Sequence, residues 1–304
     1  MEPSADLHPR VLVLGSGGML GRDLLRRFRD SGIPVLGLGS GECDITRRDR
    51  VAACVESRPW GAVINCAAYT AVDRAEAEPG AAFRVNRDGA AHVAEACRRE
   101  NVPLIHLSTD YVFDGQSRVP YREEDPARPV SVYGRSKWEG EEAVRDRSGK
   151  HLVVRTAWLY AAHGQNFVTS VLHLARRRKE LRVVDDQFGC PTWTEDLAEG
   201  LVSMVRKVLE SPKGVPWGTY HLCGGGFTSR HAFARAIVEE GYRREHLVVG
   251  RILPVPTDHY PTAARRPPWA VLDCQKANNA FGIALPPWQT GLARMMEELY
   301  TPTA

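Results

Sequence analysis

Near the start of the chain a four-residue apolar run, Val11-Leu12-Val13-Leu14, ends abruptly in Gly15-Ser16-Gly17-Gly18-Met19-Leu20-Gly21. Apolar side chains then return at helical spacing, at Leu20, Leu24, Leu25 and Phe28, until Ser31-Gly32 stops the pattern. A short continuous apolar run bounded by glycine is what a strand buried on both faces requires, and such strands belong to parallel sheets. Gly15, Gly18 and Gly21 stand three apart. That spacing suits a tight turn, a close backbone approach to a pyrophosphate and close packing of helix on strand, with the helix N-terminus facing the phosphates. A glycine-rich turn alone can be purely structural. Its place after the first strand of a βαβ unit favours a dinucleotide. Residues 36–40, at the end of the next strand, offer neither an acid for an adenosine 2′-hydroxyl nor an arginine for a 2′-phosphate, so NADH and NADPH both remain open.

The alternation continues. Strands are predicted over 33–38, 62–64, 102–107 and 152–154, and helices over 48–57, 81–99 and 133–147. This predicts an α/β fold, a Rossmann-type doubly wound parallel sheet. Residues 1–160 form the dinucleotide-binding domain, with the sheet completed by parts of 181–222. Residues 161–304 form mainly a smaller C-terminal substrate-binding lobe over the carboxyl edge of the sheet, with helices over 167–179, 194–209, 229–240 and 288–299. Forty Lys and Arg against 37 Asp and Glu leave +3, which gives no long-range reason to bind nucleic acid or an anionic membrane. The basic run Arg176-Arg177-Arg178-Lys179 fits a solvated helix end better than an anion patch. No stretch approaches the ~20 apolar residues of a membrane span, and residues 1–10 lack the apolar segment of a signal peptide. The seven cysteines are odd in number and contain no Cys-x-x-Cys pair, as expected of reduced core residues in a cytoplasmic protein.

Tyr133 and Lys137 lie four apart at the start of a predicted helix and so share a face. An ammonium beside a phenol stabilises the phenolate and lowers its pKa, as a proton-relaying tyrosine requires. Ser108-Thr109-Asp110 ends the fourth strand, at the sheet edge where such a tyrosine would sit, and a hydroxyl there can bond a substrate carbonyl or the phenol. Each piece has a plain alternative, Tyr133 as helix-start packing and Thr109 as a turn cap. Their order along the chain, after the glycine turn, favours catalysis.

These stretches also carry a resemblance. Residues 15–21, 65–73 (Asn-Cys-Ala-Ala-Tyr-Thr-Ala-Val-Asp), 108–115 (Ser-Thr-Asp-Tyr-Val-Phe-Asp-Gly), 132–137 (Val-Tyr-Gly-Arg-Ser-Lys) and 155–160 (Arg-Thr-Ala-Trp-Leu-Tyr) resemble the extended short-chain dehydrogenase/reductase superfamily. Residues 186–192 (Asp-Gln-Phe-Gly-Cys-Pro-Thr) and 264–267 (Ala-Arg-Arg-Pro) are more specific, and resemble the dTDP-4-dehydrorhamnose reductase family within it. The resemblance implies hydride transfer from NADPH or NADH to carbon 4 of dTDP-4-dehydro-β-L-rhamnose, giving dTDP-L-rhamnose for cell-wall polysaccharide. It implies Tyr133 as proton donor, Lys137 lowering its pKa and binding the nicotinamide ribose, and Thr109 tuning the tyrosine. Gly18, Met19 and Leu20 would line the pyrophosphate, Asp44 and Ile45 flank the adenine, and Ala68, Tyr69 and Thr70 border the cofactor. Thr109, Asp110, Trp158, Asn166, Gln187 and Arg265 would contact the dTDP-sugar. A homodimer around magnesium is also implied, with Asp23 and Glu195 as ligands and Asp196 beside them; acids in the first turn of a helix are equally favoured by its dipole without a metal. A 4,6-dehydratase would carry a glutamate where Tyr111 follows Asp110. A dihydrostreptose-type synthase would act on the same ketosugar. A non-catalytic regulatory subunit, like the β subunit of methionine adenosyltransferase, would share the fold and the Tyr/Lys pair but not the 186–192 segment.

Overall fold

The computed structural model describes residues 10–301. Its centre is a six-stranded sheet built from β1 (Val11–Leu14), β2 (Val35–Leu38), β3 (Ala62–Asn65), β4 (Leu104–Thr109), β5 (His151–Thr156) and a sixth strand, Gly218–His221. The spatial order is sixth strand, β5, β4, β3, β1, β2, and every neighbouring pair is parallel. β1, β3 and β4 are buried along their whole length, as their apolar runs demand. The sixth strand falls inside the expected 181–222. Glu180–Val184, in the same window, ladders instead with Arg251–Val255 outside the main sheet.

Helix α1 (Met19–Asp30) and helix Thr194–Glu210 cover one face of the sheet through Leu24, Phe28, Leu197 and Leu201. Helices Arg48–Glu56 and Ala90–Arg99 cover the other through Val51, Val55, Val93 and Cys97. The second lobe packs helices Phe167–Ala175, Arg230–Tyr242 and Trp288–Tyr300 around Tyr160, Phe233, Trp288 and Met295. The helix predicted over 167–179 stops at Ala175, and Arg176 turns aside to pair with Glu245 at 2.8 Å. No helix among the described residues is long and apolar enough to cross a membrane.

The segment predicted as one helix over 81–99 contains an irregularity. Pro79–Phe83 is α-helical, Arg84–Gly89 widens into a π turn, and Ala90–Arg99 is α-helical again. The wider turn points Asn86 inward, with 1% exposure. Its Oδ1 accepts from the Tyr69 amide at 2.8 Å, and its Nδ2 donates to the Tyr69 carbonyl at 3.0 Å and to Ser136 Oγ at 2.9 Å. The helix Val132–Arg147 can approach this turn only because residue 140 is glycine; a Cβ there would overlap the Asn86 carbonyl.

Candidate active site

The strand order reverses between β1 and β3, which opens a crevice at their carboxyl ends. Both segments expected to hold a cofactor emerge there. Gly15 has φ +80°, and a Cβ on it would lie 2.5 Å from the Ala67 amide nitrogen. The Gly18 amide closes the turn on the Gly15 carbonyl at 3.1 Å. A Cβ on Gly21 would run into the Gly15 carbonyl and the Ser16 backbone. Gly18 then caps α1 without any side-chain bond to the first amides, so the helix N-terminus beside Met19 and Leu20 keeps its donors for an anion. A backbone cradle that any side chain would fill, facing uncapped amides, fits the pyrophosphate of a nicotinamide dinucleotide. Ala68 and Tyr69 follow β3 half-buried with Thr70 exposed, and Asn86 clamps the Tyr69 backbone. Asp44 is exposed and accepts from Thr46, while buried Ile45 packs against Gly89.

Ser131 Oγ caps the helix Val132–Arg147 by accepting from the Gly134 amide at 3.1 Å. One turn inside lie Tyr133 and Lys137, beside the end of β4. Burial pushes the Tyr133 phenol well above its usual pKa; a bond to Thr109 pulls it back, while Asp110 and Tyr111 add to the rise. Tyr111 meets the Tyr133 ring edge to face, centroids 5.4 Å apart. Lys137 Nζ, expected beside the phenol, donates to the Leu107 carbonyl at 2.6 Å. Burial depresses the Lys137 ammonium to about 8, against the holding charge of Glu141 and a smaller contribution from Cys66. In this geometry the tyrosine is therefore held protonated, the state a proton donor needs, and a lowering of its pKa by Lys137 is not seen.

Beneath the pair runs a buried ion network. Glu141, one turn beyond Lys137, has 0% exposure and receives Arg155 Nη2 at 2.8 Å, Arg145 Nη2 at 2.5 Å and the Ser108 hydroxyl. Burial raises its pKa, but Arg155, Arg145 and Ser108 together hold it below the usual carboxylate value.

At the end of β4, Thr109 Oγ1 donates to Asp110 Oδ1 at 2.8 Å, and Asp110 Oδ2 is buried without a partner. Burial pushes the Asp110 carboxyl up to about 7. Trp158 holds φ 45°, its indole lying against Gly189. Gln187 is buried and donates to Thr257 Oγ1 at 3.0 Å. Asn166 caps the helix Phe167–Ala175 by accepting from Val168 and Thr169, and its Nδ2 donates to the Ala161 carbonyl at 2.8 Å, so its side chain is taken up in shaping the loop over Met19. Arg265 is exposed, whereas its neighbour Arg266 is spent on Asp73 at 2.7 Å.

The expected magnesium ligands do come together, but around cations. Asp23 receives His163 Nε2 at 2.8 Å and the Thr194 hydroxyl. Glu195 accepts from Arg26 Nε at 2.9 Å and forms an ion pair with Arg27 at 2.5 Å, and Asp196 pairs with Arg294 at 2.8 Å. Hard divalent cations need free carboxylate oxygens and room for water. Among the described residues no group of three or more His, Cys, Asp or Glu is placed to hold a metal ion. In this single chain the oxygens of Asp23 and Glu195 are engaged by His163, Thr194, Arg26 and Arg27, and the arrangement does not support magnesium.

Comparison with known proteins bears on the whole chain. The model of the RmlD substrate binding domain matches residues 9–301. A dTDP-4-dehydrorhamnose reductase of Sinorhizobium fredii is 42% identical over 290 residues, covering 94% of this chain and 96% of the relative. The chain belongs to the dTDP-4-dehydrorhamnose reductase family. The Escherichia coli K12 member is 38% identical over 298 residues, covering 97% of this chain and 99% of its own. The solved structure of the Bacillus anthracis reductase in complex with NADP superposes with a TM-score of 0.87 at 34% identity, covering 95% of this chain and 99% of that one. A Streptomyces niveus relative named dTDP-4-keto-6-deoxy-D-glucose reductase is 40% identical over 286 residues, covering 94% of this chain and 96% of its own.

Within this reductase fold three contributing residues escaped the sequence reading. Glu141 is i+4 from Lys137, a spacing that offered a signal. Glu42 Oε2 accepts from the Gly39 amide at 2.8 Å, which brings an acid to the end of β2 from outside the 36–40 window. Arg230 sends its guanidinium over Trp158 and had no local signal at all.

Proposed function

We propose that this protein reduces the 4-keto group of dTDP-4-dehydro-β-L-rhamnose to give dTDP-L-rhamnose, with NADPH or NADH as reductant. The observation that carries the reading is the buried, protonated Tyr133 beside Thr109, at the crevice where the glycine turn presents its free amides. When bound, the dihydronicotinamide supplies a hydride to carbon 4. The chain's own part is the proton. As charge develops on the carbonyl oxygen, Tyr133 gives up its phenolic proton to it, while Lys137 stays anchored to the Leu107 carbonyl one turn along the same helix. Thr109 donates to Asp110, which fixes its hydroxyl at the end of β4 beside the phenol. Lys137 also serves the nicotinamide ribose, Asp44 and Ile45 flank the adenine, and Ala68 to Thr70 border the cofactor. Trp158, Asp110 and Gln187 line the sugar, Asn166 holds their loop, and exposed Arg265 meets the diphosphate with a bidentate fork. In this division of labour, 1–160 serve the cofactor and 161–304 mainly the substrate.

Glu42 favours NADH, since a carboxylate at the end of β2 accepts from a ribose 2′-hydroxyl and repels a 2′-phosphate. The Streptomyces niveus relative supports a second reading, a 4-keto-6-deoxy sugar of gluco configuration on the same nucleotide. Incubation with each dTDP-ketosugar and each reduced nicotinamide, followed by loss of the reduced-cofactor absorbance and NMR of the product, tests both. Absence of turnover of either sugar with either cofactor overturns the reductase reading.

A further inference from the structure

Besides Lys137, a second buried cation at the site, Arg230, has no carboxylate in salt-bridge contact among the described residues. Arg230 opens the helix Arg230–Tyr242, and its guanidinium carbon lies 3.5 Å from the centroid of the Trp158 ring and 5.1 Å from that of Phe167. Burial pushes its pKa down, offset in part by Tyr111 and Asp110. The indole also rests on Gly189, where a Cβ would lie 2.6 Å from Trp158 Nε1. Trp158 itself holds φ 45°, a left-handed conformation that a bulky L-residue keeps only when its surroundings enforce it.

We propose that Arg230 is a positioning residue of the reaction: it presses Trp158 against Gly189, and it sets a fixed positive charge against Asp110. The proposal rests on the reading of the site as that of a dTDP-sugar reductase. A planar guanidinium can stack on an indole, and an ammonium cannot reproduce the plane. The second role follows from what faces Asp110. Thr109 and Tyr111 flank it on its own segment, and Tyr133 faces it from the helix Val132–Arg147. Arg230 faces it from the second lobe, and the Arg266–Asp73 pair stands behind Tyr111. Arg230 thus sets a positive charge against a carboxyl that burial otherwise pushes toward its neutral form. With Asp110 ionised, the Thr109 hydroxyl donates to Oδ1 and is held in place beside the phenol. The stack and the charge therefore act on the sugar and on the proton donor through two different neighbours.

Full-length Arg230→Met and Arg230→Lys variants separate the two. In Arg230→Met the KM for the dTDP-sugar should rise about tenfold while the Kd for the reduced cofactor stays unchanged, because only the sugar side loses its support. The titration midpoint of Asp110, followed by carboxyl-carbon NMR with Asp110→Asn for assignment, should move up by about one unit, and the acid limb of the rate should move with it. Arg230→Lys should restore the midpoint and leave KM raised. A folded Arg230→Met with native KM and an unmoved midpoint overturns the proposal, and so does an equal loss of affinity for sugar and cofactor. If Arg230→Met does not fold, Arg230→Lys decides: raised KM with an unmoved midpoint supports the stack, and native KM overturns it. Should the wild type turn over no dTDP-ketosugar, the reductase reading falls, and the Asp110 midpoint still reports on Arg230 by itself.

Discussion

Tyr133 meets the requirement that a general acid be protonated before the reaction and close to where negative charge appears. Its replacement by phenylalanine removes the proton and almost nothing else, so turnover should fall by about two to four orders of magnitude. Cofactor affinity, set by the glycine turn, should be unchanged in a fluorescence titration of the reduced nicotinamide; near-native turnover would remove the tyrosine from the mechanism. Lys137 predicts the alkaline side of the pH profile. Its pKa is depressed to about 8 because burial disfavours the ammonium. The charged form is lost as pH rises through that value, so kcat/KM should decline above about pH 8 while the phenol remains protonated. A pH–rate profile flat to pH 10 would contradict this. The residues legible in the sequence were those whose meaning is local. The three glycines and the Tyr133/Lys137 pair announce themselves by spacing. Arg230, by contrast, acquires its role only by folding over Trp158, a neighbour distant in sequence.

At the scale of elements, periodicity located β1 to β5 and most helices because apolar recurrence is what sheet and lobe bury, but it gave no strand for Glu180–Val184 or Arg251–Val255. The π turn was not visible, since one extra residue in a helical pattern barely disturbs that recurrence; its only trace is a polar Asn86 on an inward face. Its partner Gly140 gives a direct test. Gly140→Ala forces the helix Val132–Arg147 away from the Asn86 carbonyl, an overpacking that should cost about 1–3 kcal/mol in urea unfolding. Gly149→Ala, where a Cβ would meet nothing within 4 Å, should fall within about 0.5 kcal/mol of wild type. Equal stability of the two variants would show that the helix crossing is slack. The same displacement should lower kcat in Gly140→Ala, because Tyr133 and Lys137 ride on the displaced helix.

Across the whole molecule, charges buried between elements join the parts. Glu141 ties the helix Val132–Arg147 to β5 through Arg155, and Glu141→Gln leaves that guanidinium buried without its charge partner, a loss of about 3–5 kcal/mol. Since the folded Glu141 pKa is depressed below 4.5, its contribution is present above the unfolded value and disappears as pH falls through the folded one. The stability gap between wild type and Glu141→Gln should therefore be full at pH 7 and narrow in acid, as urea midpoints at both pH values would reveal. Arg26 and Arg27 similarly tie α1 to Glu195, which gives a prediction about metal: mass by light scattering should be identical in magnesium and in chelator, whichever oligomer is present. A chelator-induced change in mass would reinstate the ion. The sheet's connectivity carries a last consequence. The chain leaves the sheet after β5 and gives the helix Phe167–Ala175 to the second lobe and the helix Thr194–Glu210 to the face of the sheet. It returns to add Gly218–His221 on the far edge of β5, and only then completes the second lobe. A chimera that joins one relative's residues 1–160 to another's remainder therefore mixes parents inside a single hydrogen-bonded ladder. Exchange of sugar preference between relatives is better served by grafting the loops at the carboxyl edge, with both parents' strands kept whole.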